Sequence, residues 1–311
     1  MARRKMERFA LSDHARRILT RSALIGSISL ASIALVSFGL YKVCKYVDRN
    51  VAYSPEPPKV VLKNRPAWMS DLVAEQICAA ARPSGAHSAL DNRMLRNSKA
   101  MLENNIRTNA WIKQVNQLKL IYGQRPGDTM VLDCDFRVPV ALVHYKNAYY
   151  LVDGDGTALP ERYSADQVTR VIFGPDGRMN IRVVEGIRSD RPMPGQKWEG
   201  DDLASALDMI KVLHGKPYAE EIVKVDVSNF AGRQDGSEAQ LVLVTRQNTQ
   251  IRWGRPVTST DLAEVPAAEK LRNLQRICAQ YKRVDAGQQW VDVRLDQVKC
   301  PAVATITASA Q

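Results

Sequence analysis

TMVLDCDFRVPVALVHYKNAYYLVDGDG, Thr129 to Gly156, holds two extended segments that meet across one proline. Val131 to Val138 alternates strictly, with Leu132, Cys134, Phe136 and Val138 on one face and Val131, Asp133, Asp135 and Arg137 on the other. That is the period of a half-buried strand. Pro139 cannot donate to a central ladder, so it marks a strand edge, start or bend. A new apolar run, Val140 to Val143, begins at once and predicts the first strand of a second sheet. His144 to Ala148 turns the chain, Tyr149 to Val152 returns as the paired strand, and Asp153-Gly154-Asp155-Gly156 closes the unit with residues that accept the positive φ of tight turns.

Upstream of this joint, Lys59 to Leu62 predicts a short strand, and Ser70 an N-cap for a helix with Val73, Ile77 and Ala80 or Ala81 on one face. Pro83, Ser84 and Gly85 break it. A second helix is expected from about Leu90 to Asn104, with Leu90, Met94, Met101 and Leu102 as its apolar side. Trp111 to Tyr122 predicts a strand, Gly123 to Asp128 a turn, and Met130 to Val138 the return. The order over residues 59–138 is therefore β-α-α-β-β.

Downstream, residues 139–300 form a second domain. Thr169 to Phe173, the turn Gly174-Pro175-Asp176-Gly177 and Met179 to Val184 predict a hairpin. Gly200-Asp201-Asp202 opens a helix with Leu203, Ala206, Leu207, Ile210 and Leu213 inward, and Gly215 ends it. Ile222 to Val227, Gln240 to Thr245 and Thr249 to Trp253 predict three further strands. Pro266 sits near the first turn of a last helix, with Leu271, Leu274, Ile277, Cys278 and Tyr281 inward. Gln289 to Leu295 is a closing strand, and 301–311 a small-residue tail.

A chain of 311 residues with a 45% hydrophobic fraction suits about two folded domains. Its net charge of +11 raises the question of a nucleic-acid partner. Seven basic against two acidic side chains before residue 22 supply +5 of it, and the rest is spread without a basic run interleaved with aromatics. No nucleic-acid partner is expected.

The charge-free stretch Ser22 to Tyr41 is long enough, at about 1.5 Å per residue, to cross a hydrocarbon core of about 30 Å. A membrane helix over 22–44 is expected, with a cytoplasmic tail over 1–21 and a proline-bearing linker over 45–58. A cleaved signal peptide is the alternative, but the stretch is long for one and no small-x-small cleavage pattern follows it closely. Lys42 and Val43 before Cys44 do not make a lipid-attachment site. The basic excess before the span orients the N-terminus to the cytoplasm and the rest of the chain outside.

Residues that would carry catalysis are sparse. The cysteines, Cys44, Cys78, Cys134, Cys278 and Cys300, form no CxxC pair and have no histidine at a ligand spacing. A Cys278 to Cys300 disulfide is conceivable, and buried thiols are the alternative for Cys78 and Cys134. None of His14, His87, His144 and His214 accompanies a motif-borne nucleophile. Asp153 to Thr157 starts like a calcium loop, but Ala158 stands where the glycine should be and Ser164 where the bidentate glutamate should be, so it predicts a turn. Walker and G-x-G-x-x-G motifs are lacking. No catalytic, cofactor or metal site and no small-molecule substrate is expected. Trp198, Trp253 and Trp290 predict core or interface rather than a ligand groove.

Several short motifs in order resemble the FtsQ/DivIB family of cell-division proteins, which carry one membrane helix, a POTRA domain and a β domain. The resemblance spans roughly residues 59 to 296. Trp111-Ile112 matches the aromatic-hydrophobic pair opening the first long POTRA strand. Phe136 to Ala141 matches E-R-x-P-V-A, with Phe136 in place of the acidic residue. Leu151 to Pro160 matches L-V-D-x-D-G-x-x-L-P. Ile187 to Trp198 stands at the approach to the β-domain helix, with a charged run at Arg188 to Arg191. Ile251 to Gly254 matches I-x-W-G, and Val291 to Arg294 matches V-D-L-R, with Val293 in place of leucine. The Gly123 to Asp128 turn is longer than the family's.

The resemblance implies an α+β fold and a non-catalytic role in the divisome, at the septum of the cell inner membrane. It implies partners of the FtsB and FtsL type held by the β domain. A POTRA-bearing export or envelope assembly factor is the alternative, although no run of about ten-residue barrel strands follows. The partner-binding residues expected are those of the closing strand: Trp290, Val291, Asp292, Val293, Arg294 and Leu295. Alternation places Trp290, Asp292 and Arg294 on an outer face and Val291, Val293 and Leu295 toward the core, at a sheet edge open to a partner strand. The competing explanation is that Trp290 simply covers the last helix.

Overall fold

The computed structural model describes residues 13–52, 59–82, 104, 106–121 and 129–301. The predicted helix from Leu90 to Asn104, apart from its last residue, and the turn from Gly123 to Asp128 lie outside the described residues. Two compact units divide the chain. The first comprises Met1–Leu62, Ala81–Leu102 and Leu118–Leu132, and the second Lys63–Ala80, Glu103–Gln117 and Asp133–Gln311.

Helix α1 (Asp13–Ala52) contains one segment, Gly26–Tyr46, that is long and apolar enough to cross a membrane. It begins four residues later than the charge-free stretch suggested. Its serines do not spoil its apolar character, because Ser27 and Ser32 donate their hydroxyls to the carbonyls of Leu24 and Ile28, each at 2.8 Å. Leu30, Leu35 and Phe38 on this segment are all exposed.

Strands β1 (Lys59–Leu62), β2 (Ile112–Ile121) and β3 (Thr129–Phe136) form a three-stranded sheet in the order β1-β3-β2. β1 and β3 run parallel with Lys59 opposite Thr129. Helix α2 (Asp71–Ala80) follows Ser70, whose hydroxyl accepts the Val73 N–H at 3.3 Å, and it buries Val73, Ala74 and Ile77. In β3 the expected alternation holds for Met130, Leu132 and Cys134, all buried. It fails at its last two expected positions: Phe136 is half-buried and Val138 is 51% exposed. Contacts with distant segments hold the chain here. The Arg137 N–H bonds the Trp111 carbonyl at 2.9 Å, and the Arg137 side chain turns to Asp153.

Pro139 then opens the second sheet, as its missing donor requires. This sheet has eight strands in the order β11 (Trp290–Asp292), β10 (Gln250–Gly254), β9 (Leu241–Thr245), β8 (Ile222–Asp226), β7 (Arg182–Glu185), β4 (Pro139–Tyr145), β5 (Ala148–Asp153) and β6 (Ala158–Tyr163). β4 (Pro139–Tyr145) and β5 (Ala148–Asp153) form the expected hairpin, closed by two residues, with Lys146 at φ 55. β6 (Ala158–Tyr163), which the sequence pattern did not separate from the preceding turn, pairs antiparallel with β5.

The hairpin expected over 169–184 is replaced by a helix and a single strand. α3 (Ala165–Ile172) starts at Ser164, where the Ser164 N–H donates to the Gln167 side chain at 3.1 Å in a capping box. That S-x-x-Q signal outweighs the β-branched residues Thr169, Val171 and Ile172. Only an isolated bridge between Phe173 and Met179 survives of the hairpin. β7 (Arg182–Glu185) lies parallel between β4 and β8 (Ile222–Asp226), with Arg182, Val183 and Val184 buried, so no alternation is visible.

Helix α4 (Asp201–Leu213) matches its predicted span and buries Leu203, Ala206, Leu207, Ile210 and Leu213. β9 (Leu241–Thr245), β10 (Gln250–Gly254) and helix α5 (Ala267–Tyr281) complete the frame. The inner stripe of α5 is turned from the expected one. Lys270, Asn273, Leu274 and Ile277 are buried, whereas Tyr281 is 39% exposed. A single cluster unites residues of β4, β5, β7 to β10 and helices α4 and α5, and includes the fully buried rings of Trp198 and Trp253. No disulfide joins the described cysteines.

Candidate partner-binding edge

One of the two edge strands, β11 (Trp290–Asp292), runs parallel to β10 with Val291 opposite Ile251. It is shorter than the expected Gln289 to Leu295. The Gln289 carbonyl accepts the Gln250 N–H at 3.1 Å, and the Val293 N–H donates to the Arg252 carbonyl at 3.2 Å. Odd-numbered residues therefore face β10, and the backbone groups of Trp290 and Asp292 point outward. The outward pair at Asp292 is already taken: it exchanges both bonds with Lys299, at 2.8 and 3.1 Å. A strand added from outside would bond at Trp290.

Val291 and Val293 are fully buried in the core cluster, as alternation predicted. Leu295 is not. The strand ends at Asp292, the chain turns back toward Lys299, and Leu295 is left 45% exposed. Trp290 is half-buried, with the Arg252 guanidinium 4.7 Å from its ring centre, within cation–π range. It does not project freely.

Arg294 departs most from expectation. Its guanidinium grips the Asp292 carboxylate, with Nη2 2.8 Å from Oδ2 and Nε 3.1 Å from both oxygens. Nη1 donates to the Ser237 carbonyl at 2.8 Å, and the Arg294 carbonyl accepts the Val265 N–H at 2.9 Å. The Asp292 hydrogen bond raises the Arg294 pKa further above its ordinary value. Arg294 thus fastens the turn after β11, and its side chain is only 21% exposed.

Behind the edge stands an ion pair that no sequence pattern revealed. Lys270 Nζ lies 2.5 Å from Glu264 Oε2, 2.8 Å from the Trp253 carbonyl and 5.1 Å from the centre of the Trp253 ring. Burial pulls the Lys270 pKa down, and Glu264 opposes that pull. Glu264 also accepts the Arg255 N–H at 3.0 Å and fills the space where a Cβ on Gly254 would stand, so Gly254, at φ +93, admits no side chain. The Lys270 signal in sequence was that of an ordinary wet-face lysine.

Elsewhere, His144 stacks on Tyr149 with Nδ1 3.8 Å from Glu185, whose carboxylate also holds Lys224 at 2.8 Å. The Asp153 to Thr157 segment is a turn: Asp153 Oδ1 accepts the N–H groups of Asp155 and Thr157 at 3.0 and 2.7 Å. Among the described residues no group of three or more His, Cys, Asp or Glu side chains is placed to hold a metal ion. Comparison of the chain with protein-family models and with curated proteins finds no match.

Proposed function

We propose that this protein is a membrane-anchored, non-catalytic scaffold of the FtsQ/DivIB type. In this reading α1 anchors it in the cell inner membrane with its N-terminus in the cytoplasm. Residues 59–138 act as the POTRA domain and 139–300 as the β domain, which holds FtsB- and FtsL-type partners at the division septum. The observation that carries the reading is the combination of one apolar N-terminal helix with a mixed sheet ending in the short edge strand β11. Of the motif residues, Val291 and Asp292 lie in that strand, and Val293 and Arg294 in the segment that follows it.

Two experiments test it. Depletion should produce filamentous cells, and a fluorescent fusion should collect at midcell; envelope-assembly defects without filamentation would overturn the proposal in favour of an export or assembly factor. At the edge itself, Trp290→Ala and Leu295→Glu are expected to weaken capture of the purified partner about tenfold, the equivalent of roughly 1.4 kcal/mol, with melting unchanged. Arg294→Glu is a poor probe, because it removes the partner of Asp292 and acts on folding as well. Normal binding by both edge variants would refute the assignment of β11.

A further inference from the structure

At the opposite end of the eight-stranded sheet from β11, around β5 and β6, lies a groove of about 570 Å³. All its lining residues belong to the second compact unit. Trp68, Trp111 and Tyr163 contribute aromatic walls, Leu151 and Ile181 apolar ones, and Glu161 a carboxylate. The Trp68 and Trp111 ring centres are 5.8 Å apart at a tilt of 35°, and Trp68 remains 39% exposed.

Two buried polar atoms of the lining have no hydrogen-bond partner among the described residues: Glu161 Oε2, an acceptor, and Trp111 Nε1, a donor. Burying such groups unpaired is destabilising. Among the described residues no lysine or arginine lines the groove, although the chain carries a net charge of +11. Burial raises the Glu161 pKa, and no neighbouring cation acts to lower it. The same desolvation, with Glu161 second, raises that of Tyr163.

We infer that this groove binds an extended peptide segment of a partner protein through a lysine or arginine side chain. The cation would meet Glu161 against the faces of the aromatic rings, whose attraction for a cation grows when water is excluded. Its methylene stem would lie along Leu151 and Ile181. A backbone carbonyl of the segment would accept from Trp111 Nε1. Both unpaired atoms are then satisfied by one occupant, and the groove volume lies within the range of small binding clefts.

The test uses the full-length protein in lipid nanodiscs and a fluorophore-labelled, acetylated and amidated pentapeptide of alternating valine and lysine, read by anisotropy. Saturable binding is expected, and the matched norleucine peptide should bind about tenfold more weakly. Glu161→Gln, nearly isosteric, should lose about tenfold in affinity while melting at or above the wild-type temperature. Trp68→Leu, at a partly exposed position, provides a second variant expected to weaken binding. Equal affinity for the lysine and norleucine peptides, undiminished binding by Glu161→Gln, or no binding at millimolar peptide would each overturn the inference. Displacement by n-butylammonium at the same concentration as by the peptide would also overturn it, because the site would then take a small organic cation and not a polypeptide.

Discussion

Replacing Arg137 by methionine probes the joint between the two sheets. Arg137 Nη1 lies 2.7 Å from Asp153 Oδ2 and 3.0 Å from Thr157 Oγ1, with the side chains of Arg137 and Asp153 only 17% and 4% exposed. Removing one partner of a buried pair costs about 3–5 kcal/mol, because the remaining charge stays desolvated. Asp153 Oδ1 would keep the N–H groups of Asp155 and Thr157, which places the loss near the lower figure, about 3 kcal/mol. For a unit of this size the apparent melting temperature should fall by roughly 6–12 °C.

The double variant Arg137→Met with Asp153→Asn removes both charges yet leaves an amide oxygen for the two N–H donors. It should cost only about 1 kcal/mol, so the cycle should show a coupling of about 2 kcal/mol or more. Thermal unfolding by near-ultraviolet circular dichroism, with ligand-free full-length protein, measures all four corners of the cycle. A single variant within about 0.5 kcal/mol of wild type, or strictly additive losses in the double, would refute the idea that this charge pair fixes the joint.

Other perturbations have equally direct outcomes. Gly186 sits at φ +86, and a Cβ there would collide with the Ser228 backbone, whereas Gly215, at φ +76, faces open space. Alanine at Gly186 should therefore abolish stable folding, while alanine at Gly215 should cost only about 1 kcal/mol in a denaturant titration, and similar losses at both would contradict this. For buried Asp285, burial pushes the carboxyl pKa up, but Arg283, the Gly287 N–H and Thr249 together bring it below 3.8. Its stabilisation is then fully present above the unfolded value and is lost as pH falls through the lower folded value. The melting-temperature gap between wild type and Asp285→Asn should narrow from pH 5 to below pH 3, and a gap constant with pH would exclude the linkage. Helix α1 runs to Ala52, so limited proteolysis should cut within the proline-bearing residues 53–58 before the joint at 137–141, because the latter is fixed by Pro139 and the Arg137 bonds. Preferred cleavage at the joint would show it to be open.

What the sequence by itself determined was the local grammar. The helical stripe placed α4, and short apolar runs between turn residues placed strands β4, β5, β8, β9 and β10 almost to the residue, because capping or turn residues mark their ends. Pro139 marked the passage from one sheet to the other, since a missing donor shows in any context. The apolar helix was legible for the same reason: twenty residues without charge mean the same thing wherever they fold. Tertiary structure alone decided the rest. The alternation of Met179, Ile181 and Val183 suggested a hairpin arm, but in β7 consecutive residues Arg182, Val183 and Val184 are all buried, because the strand lies parallel between two others in the middle of the sheet. The burial of Lys270 depends on Glu264 reaching it from a loop, and the outer face of β11 depends on Arg294 folding back to Asp292 and on Lys299 closing the edge. Alternation assigns a residue to a face of its strand, but where the strand stops and what then covers it are set by contacts between segments far apart in sequence.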